Sequence, residues 1–220
     1  NVKEIGDYAF ATTTEKTANS LTALTFGDEL EVVGNYAFYG SLNIVDVTIG
    51  NGLKEIGSYA FATCRSLETI NVGAKLAKVL GAGAFLCASK VATVSIPVLE
   101  RIEIQALSCI DVTEIALPET LKYIAPTAFY YNAKQVKFTN TSLEDTCVIN
   151  DYITLDEGVV YTTTNNNKLL LTSYPAAKSA ETYEVLFNTV RIDEYAAYFN
   201  KNLKQLILPD TLEYIGNNSF

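Results

Sequence analysis

Hydrophobic positions recur along the chain in units of about 23 residues. Each unit contains an apolar triple at offsets 0, +3 and +5, and the alternation of its last two positions predicts a half-buried strand. A Gly or Pro follows the triple and predicts a turn, after which a shorter apolar pair begins the next element. The clearest triples are Ile44, Val47 and Ile49; Leu67, Ile70 and Val72; Val91, Val94 and Ile96; Val112, Ile115 and Leu117; and Leu203, Leu206 and Leu208.

A hexapeptide closes each unit, and its copies carry the repeat most plainly. Ile5–Phe10 reads Ile-Gly-Asp-Tyr-Ala-Phe, and it returns at Val33–Phe38, at Ile56–Phe61 and finally at Ile215–Phe220. We expect each copy to form a short helical turn. The chain begins and ends inside a copy of this unit, which predicts flanking sequence in the parent protein.

The copies are not all equally regular. Leu80–Phe85 and Ile102–Leu107 depart from the hexapeptide, and we expect these departures to alter local curvature, not function. The leading aliphatic residues lie at positions 5, 33, 56, 80, 102, 124, 192 and 215. The gap between positions 124 and 192 is close to three units, which predicts that the repeat continues there in altered form.

Stacking of these units predicts a solenoid. A single unit is too short to bury its own apolar face, whereas stacked units bury Leu, Ile and Phe in one continuous core. The prediction is an α/β solenoid that forms one domain over residues 1–220. Parallel strands line one face, short helical turns close each coil, and a β-hairpin interrupts the stack.

The repeat fails over residues 139–188. Two β-rich runs, Gly158–Tyr161 and Leu169–Leu171, flank the cluster Asn165–Asn167, and this pattern predicts a hairpin because Asn tolerates a left-handed turn. The favoured interpretation is that the hairpin widens one coil and is otherwise inert. The alternative is that it protrudes and offers contact surface to a partner.

Residues between the core positions of each strand point outward and form a candidate partner-binding face. Solenoids often bind partners on such extended surfaces, although Thr and Ser are also common on any solvated strand. The candidate positions are Asp46, Thr48, Thr69, Asn71, Thr93, Ser95, Glu114, Gln135, Lys137 and Gln205.

Cysteine and tyrosine also follow the repeat. Cys64, Cys87 and Cys109 recur once per unit, which favours packing over a disulfide, and the absence of closely paired thiols argues against zinc. The tyrosines of the hexapeptide, Tyr8, Tyr36, Tyr59 and Tyr195, could stack on sugars. The favoured interpretation is that they cover the outer edge of the core.

Composition narrows the function classes. The chain has no His, which removes Ser-His-Asp and Cys-His mechanisms and histidine metal sites. Its net charge of −9 disfavours nucleic acid, and no apolar run is long enough for membrane insertion. We expect no enzymatic activity, no cofactor and no bound metal; carboxylate-based glycoside hydrolysis would need a pair of acids that the sequence does not indicate.

The unit resembles the BspA-like leucine-rich repeat, also called the Treponema-type repeat. Residues 203–220 match it closely, and residues 21–124 match over about four and a half units. The resemblance implies a secreted or cell-surface protein that mediates protein–protein interaction or adhesion to host or matrix partners. The alternative is a non-catalytic module that binds glycans on a host or neighbouring cell surface. The family has no shared catalytic site, so no functional residue is transferred from it.

Overall fold

The computed structural model describes residues 2–12, 19–73, 78–112, 114–130, 132, 137–138 and 146–220. Short strands and turns wind through this part of the chain as a solenoid with the predicted spacing of about 23 residues. None of the described residues forms a helix. A membrane-spanning helix is accordingly not found among them.

The longer strands of the unit form one parallel sheet, as the apolar triples predict. Side chains alternate along each strand: Val47 and Ile49 are buried, and Asp46 and Thr48 between them are exposed. The register links equivalent positions of successive coils, with Val47 opposite Ile70 and Ile70 opposite Val94. The four strands are β2 (Ala23–Phe26), β4 (Asp46–Ile49), β6 (Thr69–Val72) and β8 (Thr93–Ser95).

The shorter apolar pair of each unit forms a second parallel sheet, built from strands of two residues. One residue of each pair is buried, and Ile5, Val33 and Ile56 continue one aliphatic column. The six strands are β1 (Glu4–Ile5), β3 (Val32–Val33), β5 (Glu55–Ile56), β7 (Val79–Leu80), β9 (Arg101–Ile102) and β11 (Tyr123–Ile124).

The hexapeptides form turns that bond to the next coil, so the predicted helical turns are wrong for the described residues. Tyr36 N–H donates to the Ser58 carbonyl at 2.8 Å, and Phe38 N–H donates to the Ala60 carbonyl at 2.8 Å. A helix would direct both N–H groups to the same coil instead. Tyr36 also has a left-handed backbone with φ of 55°, which a helix does not accommodate.

The irregular stretch contains an antiparallel meander that joins the second sheet of the later coils. β15 (Val159–Thr163) and β16 (Leu169–Ser173) pair antiparallel around the asparagine cluster, so the predicted hairpin is confirmed, with Asn167 at φ 57°. β16 then pairs parallel with β18, and β18 with β20, so the solenoid resumes at β16. These strands are β13 (Thr146–Asn150), β14 (Ile153–Asp156), β15 (Val159–Thr163), β16 (Leu169–Ser173), β18 (Thr189–Ile192) and β20 (Tyr214–Ile215).

Two further pairs of strands extend the first sheet's pattern. β10 (Glu114–Ile115) pairs parallel with β12 (Lys137–Phe138), and β17 (Thr182–Glu184) pairs parallel with β19 (Gln205–Ile207). Each pair keeps a spacing of 23 residues between partners, as in the earlier coils. The 23-residue period therefore persists on both sides of the meander.

The meander divides the apolar core into two clusters. The larger cluster contains the stacked rings of Phe38, Phe61 and Phe85, and the exposed ring of Phe10 continues the stack, with neighbouring centroids 5.0–5.4 Å apart. The hairpin of β14 and β15 is buried, and it contributes side chains to both clusters. These strands therefore do not protrude, whereas the turn at Asn165–Asn167, which joins β15 to β16, is exposed.

Candidate functional site

The structure brings most of the predicted face together on the first sheet. Asp46 lies opposite Thr69, and a second row runs from Thr48 through Asn71 to Ser95. Four of these five residues are exposed and Thr69 is half-buried. The surface is polar, and Asp46 is the one charged residue among these five. That it binds a partner stays a prediction.

The remaining predicted positions are placed less completely. Thr93 lies opposite Thr69 in register, and Glu114 lies opposite Lys137 on the neighbouring pair of strands. Gln135 lies outside the described residues. Gln205 is exposed but belongs to the separate pair β17–β19, beyond the meander.

The tyrosine column forms a continuous ring stack. Tyr8, Tyr36 and Tyr59 lie face to face with centroids 4.9 and 5.0 Å apart. The stack ends at Gly83, where an added Cβ would lie 2.6 Å from Cε1 of Tyr59. Both faces of the Tyr36 ring are therefore covered by protein, so that ring has no face to offer a sugar.

The cysteine column contains free thiols. Cys64 is buried, its thiol donates to the Phe38 carbonyl at 3.2 Å, and burial raises its pKa to about 12. Burial and a hydrogen bond with the Cys109 thiol raise the pKa of Cys87 to about 11. Thiols with such pKa values are almost entirely protonated at neutral pH and react slowly as nucleophiles. The described residues also contain no group of three potential metal ligands.

The second core cluster contains a buried hydrogen-bond network that the sequence did not indicate. Tyr183 hydroxyl donates to Asp156 Oδ2 at 2.6 Å and lies 2.8 Å from the Tyr161 hydroxyl. Burial is the main cause that raises the pKa of both phenols. A third buried phenol, Tyr174, packs edge-on against Tyr183, and its hydroxyl has no hydrogen-bond partner among the described residues. The network ties the meander to the later coils and is closed to solvent.

A cleft of about 500 Å³ lies where the earlier coils meet the later ones. One side of the cleft is formed by two successive turns, of which the first contains Ile104 and Gln105 and the second contains Thr127. Gln105 N–H donates to the Thr127 carbonyl at 3.2 Å and joins these turns. The opposite side is the turn that contains Glu194 and Tyr195. The full lining consists of Ile104, Gln105, Pro126, Thr127, Tyr130, Glu194 and Tyr195.

Aromatic contacts join the two sides of this cleft. The ring of Tyr130 lies 6.0 Å from that of Tyr198 and 4.9 Å, edge-on, from that of Phe199. Beside these contacts Ile104 is 51% exposed and Tyr195 is 37% exposed. The cleft therefore combines accessible apolar surface with an amide, a hydroxyl and a carboxylate.

Sequence reasoning missed this cleft, although one signal pointed to it. Ile104 occupies the hexapeptide position that holds Asp7, Asn35 or Ser58 in the regular copies. An apolar residue at a normally polar, outward position indicates an unusual surface. The departure at Ile102–Leu107 was expected to affect only curvature, and the structure shows that it also supplies part of the cleft.

Comparisons with known proteins agree with the fold. The BspA type leucine-rich repeat region matches residues 3–137 and 134–220, with six copies. No significantly similar sequence is found among curated proteins.

Solved structures with the same fold come from bacteria. The pneumococcal vaccine antigen PcpA is 23% identical with a TM-score of 0.77, and a leucine-rich cell surface protein of Faecalibacterium prausnitzii A2-165 is 21% identical with a TM-score of 0.66. The match covers all of this chain but only 53% and 62% of those two chains, respectively. A leucine-rich repeat protein of Eubacterium ventriosum is 16% identical over 88% of this chain and 56% of its own, with a TM-score of 0.58. Repeat spacing, solenoid architecture and the match over nearly the whole sequence together establish that this chain belongs to the BspA-type leucine-rich repeat family.

Proposed function

We propose that this chain is part of a secreted or cell-surface protein and that it mediates adhesion by binding protein partners of a host or its matrix. The observation that carries the proposal is the open face of parallel strands, which presents rows of exposed Thr, Asn, Ser and Asp side chains in fixed register. The descriptions of the pneumococcal antigen and of the Faecalibacterium surface protein support an extracellular location.

The character of this face favours many modest contacts over one tight anchor. Its small polar groups can donate and accept hydrogen bonds, but Trp is absent from the chain and no Arg lies on the described part of the face. Binding through such a surface gains strength from repetition, because linked sites raise the effective concentration of each other. This is a physical reason for an adhesive protein to be built from repeats.

We also propose that the chain acts without catalysis. It has no His, and the thiols of Cys64 and Cys87 are protonated at neutral pH because their pKa values are raised. Glycan binding through the tyrosine column receives less support, because the ring faces of Tyr36 are covered by Tyr8 and Tyr59.

The test is a binding screen of the purified chain against extracellular-matrix proteins and cultured host cells, followed by variants of the face. Thr48→Arg and Asn71→Arg place bulk and charge on exposed strand positions and should weaken binding at least tenfold, on the order of the loss at an interface hot spot. Glu55→Arg is the matched control, since Glu55 is exposed on a strand of the other sheet. A repeatedly blank screen, or binding that the control reduces as much as the face variants, would contradict the proposal.

A further inference from the structure

We propose that the cleft between the earlier and later coils binds an arginine side chain of a protein partner. The proposal deepens the proposed function, because it requires that the partner be a protein. The cleft volume of about 500 Å³ lies within the range of sites that bind small ligands, so it has room for one long side chain.

The lining offers each part of an arginine a suitable contact. Tyr195 and Tyr130 present aromatic rings, on which a planar guanidinium stacks favourably. Glu194 is an exposed carboxylate beside these rings and can accept charge-assisted hydrogen bonds from the guanidinium. Ile104 and Pro126 supply apolar surface for the aliphatic stem of the side chain.

The same combination holds the protein's own arginines elsewhere in the solenoid. Arg101 lies over the ring of Tyr123, 4.3 Å from its centroid, and its Nε donates to Glu103 at 2.9 Å. The guanidinium of Arg101 is therefore held by a tyrosine of the next coil and a glutamate of its own coil.

A second instance follows the meander. Arg191 lies 4.9 Å from the ring centroid of Tyr214, and its Nε is 2.8 Å from Asp193 Oδ1. Both instances pair an aromatic face with a carboxylate two residues from the arginine. The cleft presents the corresponding pair, Tyr195 and Glu194, while its lining contains no Lys or Arg.

Charge favours a cationic ligand over other occupants. The chain carries a net charge of −9, so its field attracts basic segments and repels phosphate or acidic sugars. A neutral ligand would gain the ring contacts but would not use the carboxylate of Glu194. The charge and the lining therefore select the same side chain.

The test uses a capped peptide with one arginine between glycines, titrated into the whole chain and followed by the backbone amide signals in NMR spectra. We expect a millimolar dissociation constant, on the order of what one cation–π contact and one ion pair provide, and shifts at residues 104–105, 127–130 and 194–195. The same peptide with citrulline, which is nearly isosteric and uncharged, should produce no such shifts. Added salt should weaken the arginine complex.

Two cleft variants and two matched controls separate recognition from folding. Glu194→Gln should weaken the arginine peptide about tenfold, as loss of a charge-assisted bond predicts. Tyr195→Asn should weaken it about fivefold, and its left-handed backbone suits Asn, since Asn218 occupies the equivalent position at φ 53°. The controls Glu184→Gln and Tyr8→Asn make the same changes at exposed positions outside the cleft and should leave binding unchanged.

Three results would overturn the proposal. The first is an absence of shifts at the cleft amides with the arginine peptide, and the second is an equal response to the citrulline peptide. The third uses chitotetraose, an uncharged sugar: shifts of the cleft amides with this sugar, and none with the arginine peptide, would assign the cleft to glycans instead. Failure of the proposed function can be distinguished from failure of the cleft proposal. Asn71 lies on the strand face and not in the cleft, so Asn71→Arg should weaken partner binding but leave binding of the arginine peptide unchanged. A blank partner screen with a positive peptide titration would contradict adhesion and retain the cleft site.

Discussion

Replacing Gly57 by Ala tests how closely successive coils approach each other. Gly57 follows the leading aliphatic residue of its hexapeptide, a position that holds glycine in several copies. A Cβ added to Gly57 would lie 2.8 Å from Asn35 N and from Gly34 C. These atoms are backbone of the preceding coil and cannot move as a side chain does. Carbon atoms pack best at about 3.5 Å or more, so the coils must separate locally by about 0.7 Å.

Such a separation stretches the bonds that join the two coils. Gly57 N–H donates to the Val33 carbonyl at 2.8 Å, and Ser58 N–H donates to Asn35 Oδ1 at 2.8 Å. Strain from overpacking costs about 1–3 kcal/mol, and a weakened hydrogen bond costs about 1 kcal/mol. The lower entropy of the unfolded alanine chain returns about 0.4–1 kcal/mol. The expected net loss in the free energy of unfolding is about 2–3 kcal/mol.

Gly6 supplies the matched control, because it occupies the same repeat position and an added Cβ would meet nothing within 4 Å. Gly6→Ala should be neutral or stabilise by up to about 1 kcal/mol. Urea denaturation followed by tyrosine fluorescence measures both variants, since the chain has 14 Tyr and no Trp. We attribute the requirement for glycine at position 57 to the close spacing of the coils and not to helix or strand propensity. Equal stability of Gly57→Ala and Gly6→Ala would refute this attribution.

Three further predictions test the core and its titration. Tyr183→Phe should destabilise the fold by about 2 kcal/mol, because it removes a hydrogen bond to the buried carboxylate of Asp156. Tyr174→Phe should be neutral or stabilising, because the Tyr174 hydroxyl has no hydrogen-bond partner among the described residues. Urea denaturation compares the two variants, and equal losses of stability would contradict the assignment. Phe61→Ala should lower the free energy of unfolding by about 3–5 kcal/mol, and Phe61→Leu by much less, because the ring is fully buried in the stack. Similar urea midpoints for the two variants would count against this prediction. Since burial raises the pKa of Cys64 from 9.0 to about 12, the unfolded chain loses this proton first as pH rises. The contribution of Cys64 to stability is therefore retained below pH 9 and falls by about 3 kcal/mol by about pH 11. Denaturation under reducing conditions should show a smaller fall in Cys64→Ala, and an identical pH dependence of the two proteins would refute the assignment.

Local self-similarity explains why much of the fold could be predicted. Each coil contacts mainly its neighbours, so the same short pattern decides each strand and its register. The columns that contain Val47 and Thr48 are therefore found at the predicted positions, and the hairpin around Asn165–Asn167 is found where its turn residues stand. The conformation of the closing turns was not predictable in this way. The hexapeptide is compatible with a helix, and only the carbonyl groups of the next coil, which accept from N–H groups such as that of Tyr36, favour the left-handed turn.

The 23-residue period, the strand faces, the family and the place where the repeat fails can all be inferred from the amino-acid order, because each depends on local spacing. The structure of the segment where the repeat fails depends instead on contacts between residues that are distant in the chain. It buries the hairpin of β14 and β15 between two core clusters and sets Ile104 opposite Glu194 and Tyr195 across a cleft. These residues are far apart in the chain. Ile104 and Glu194 hold the same position of the hexapeptide, but the repeat spacing does not indicate that their two turns face each other. Only the packing of the two halves around the meander brings them together.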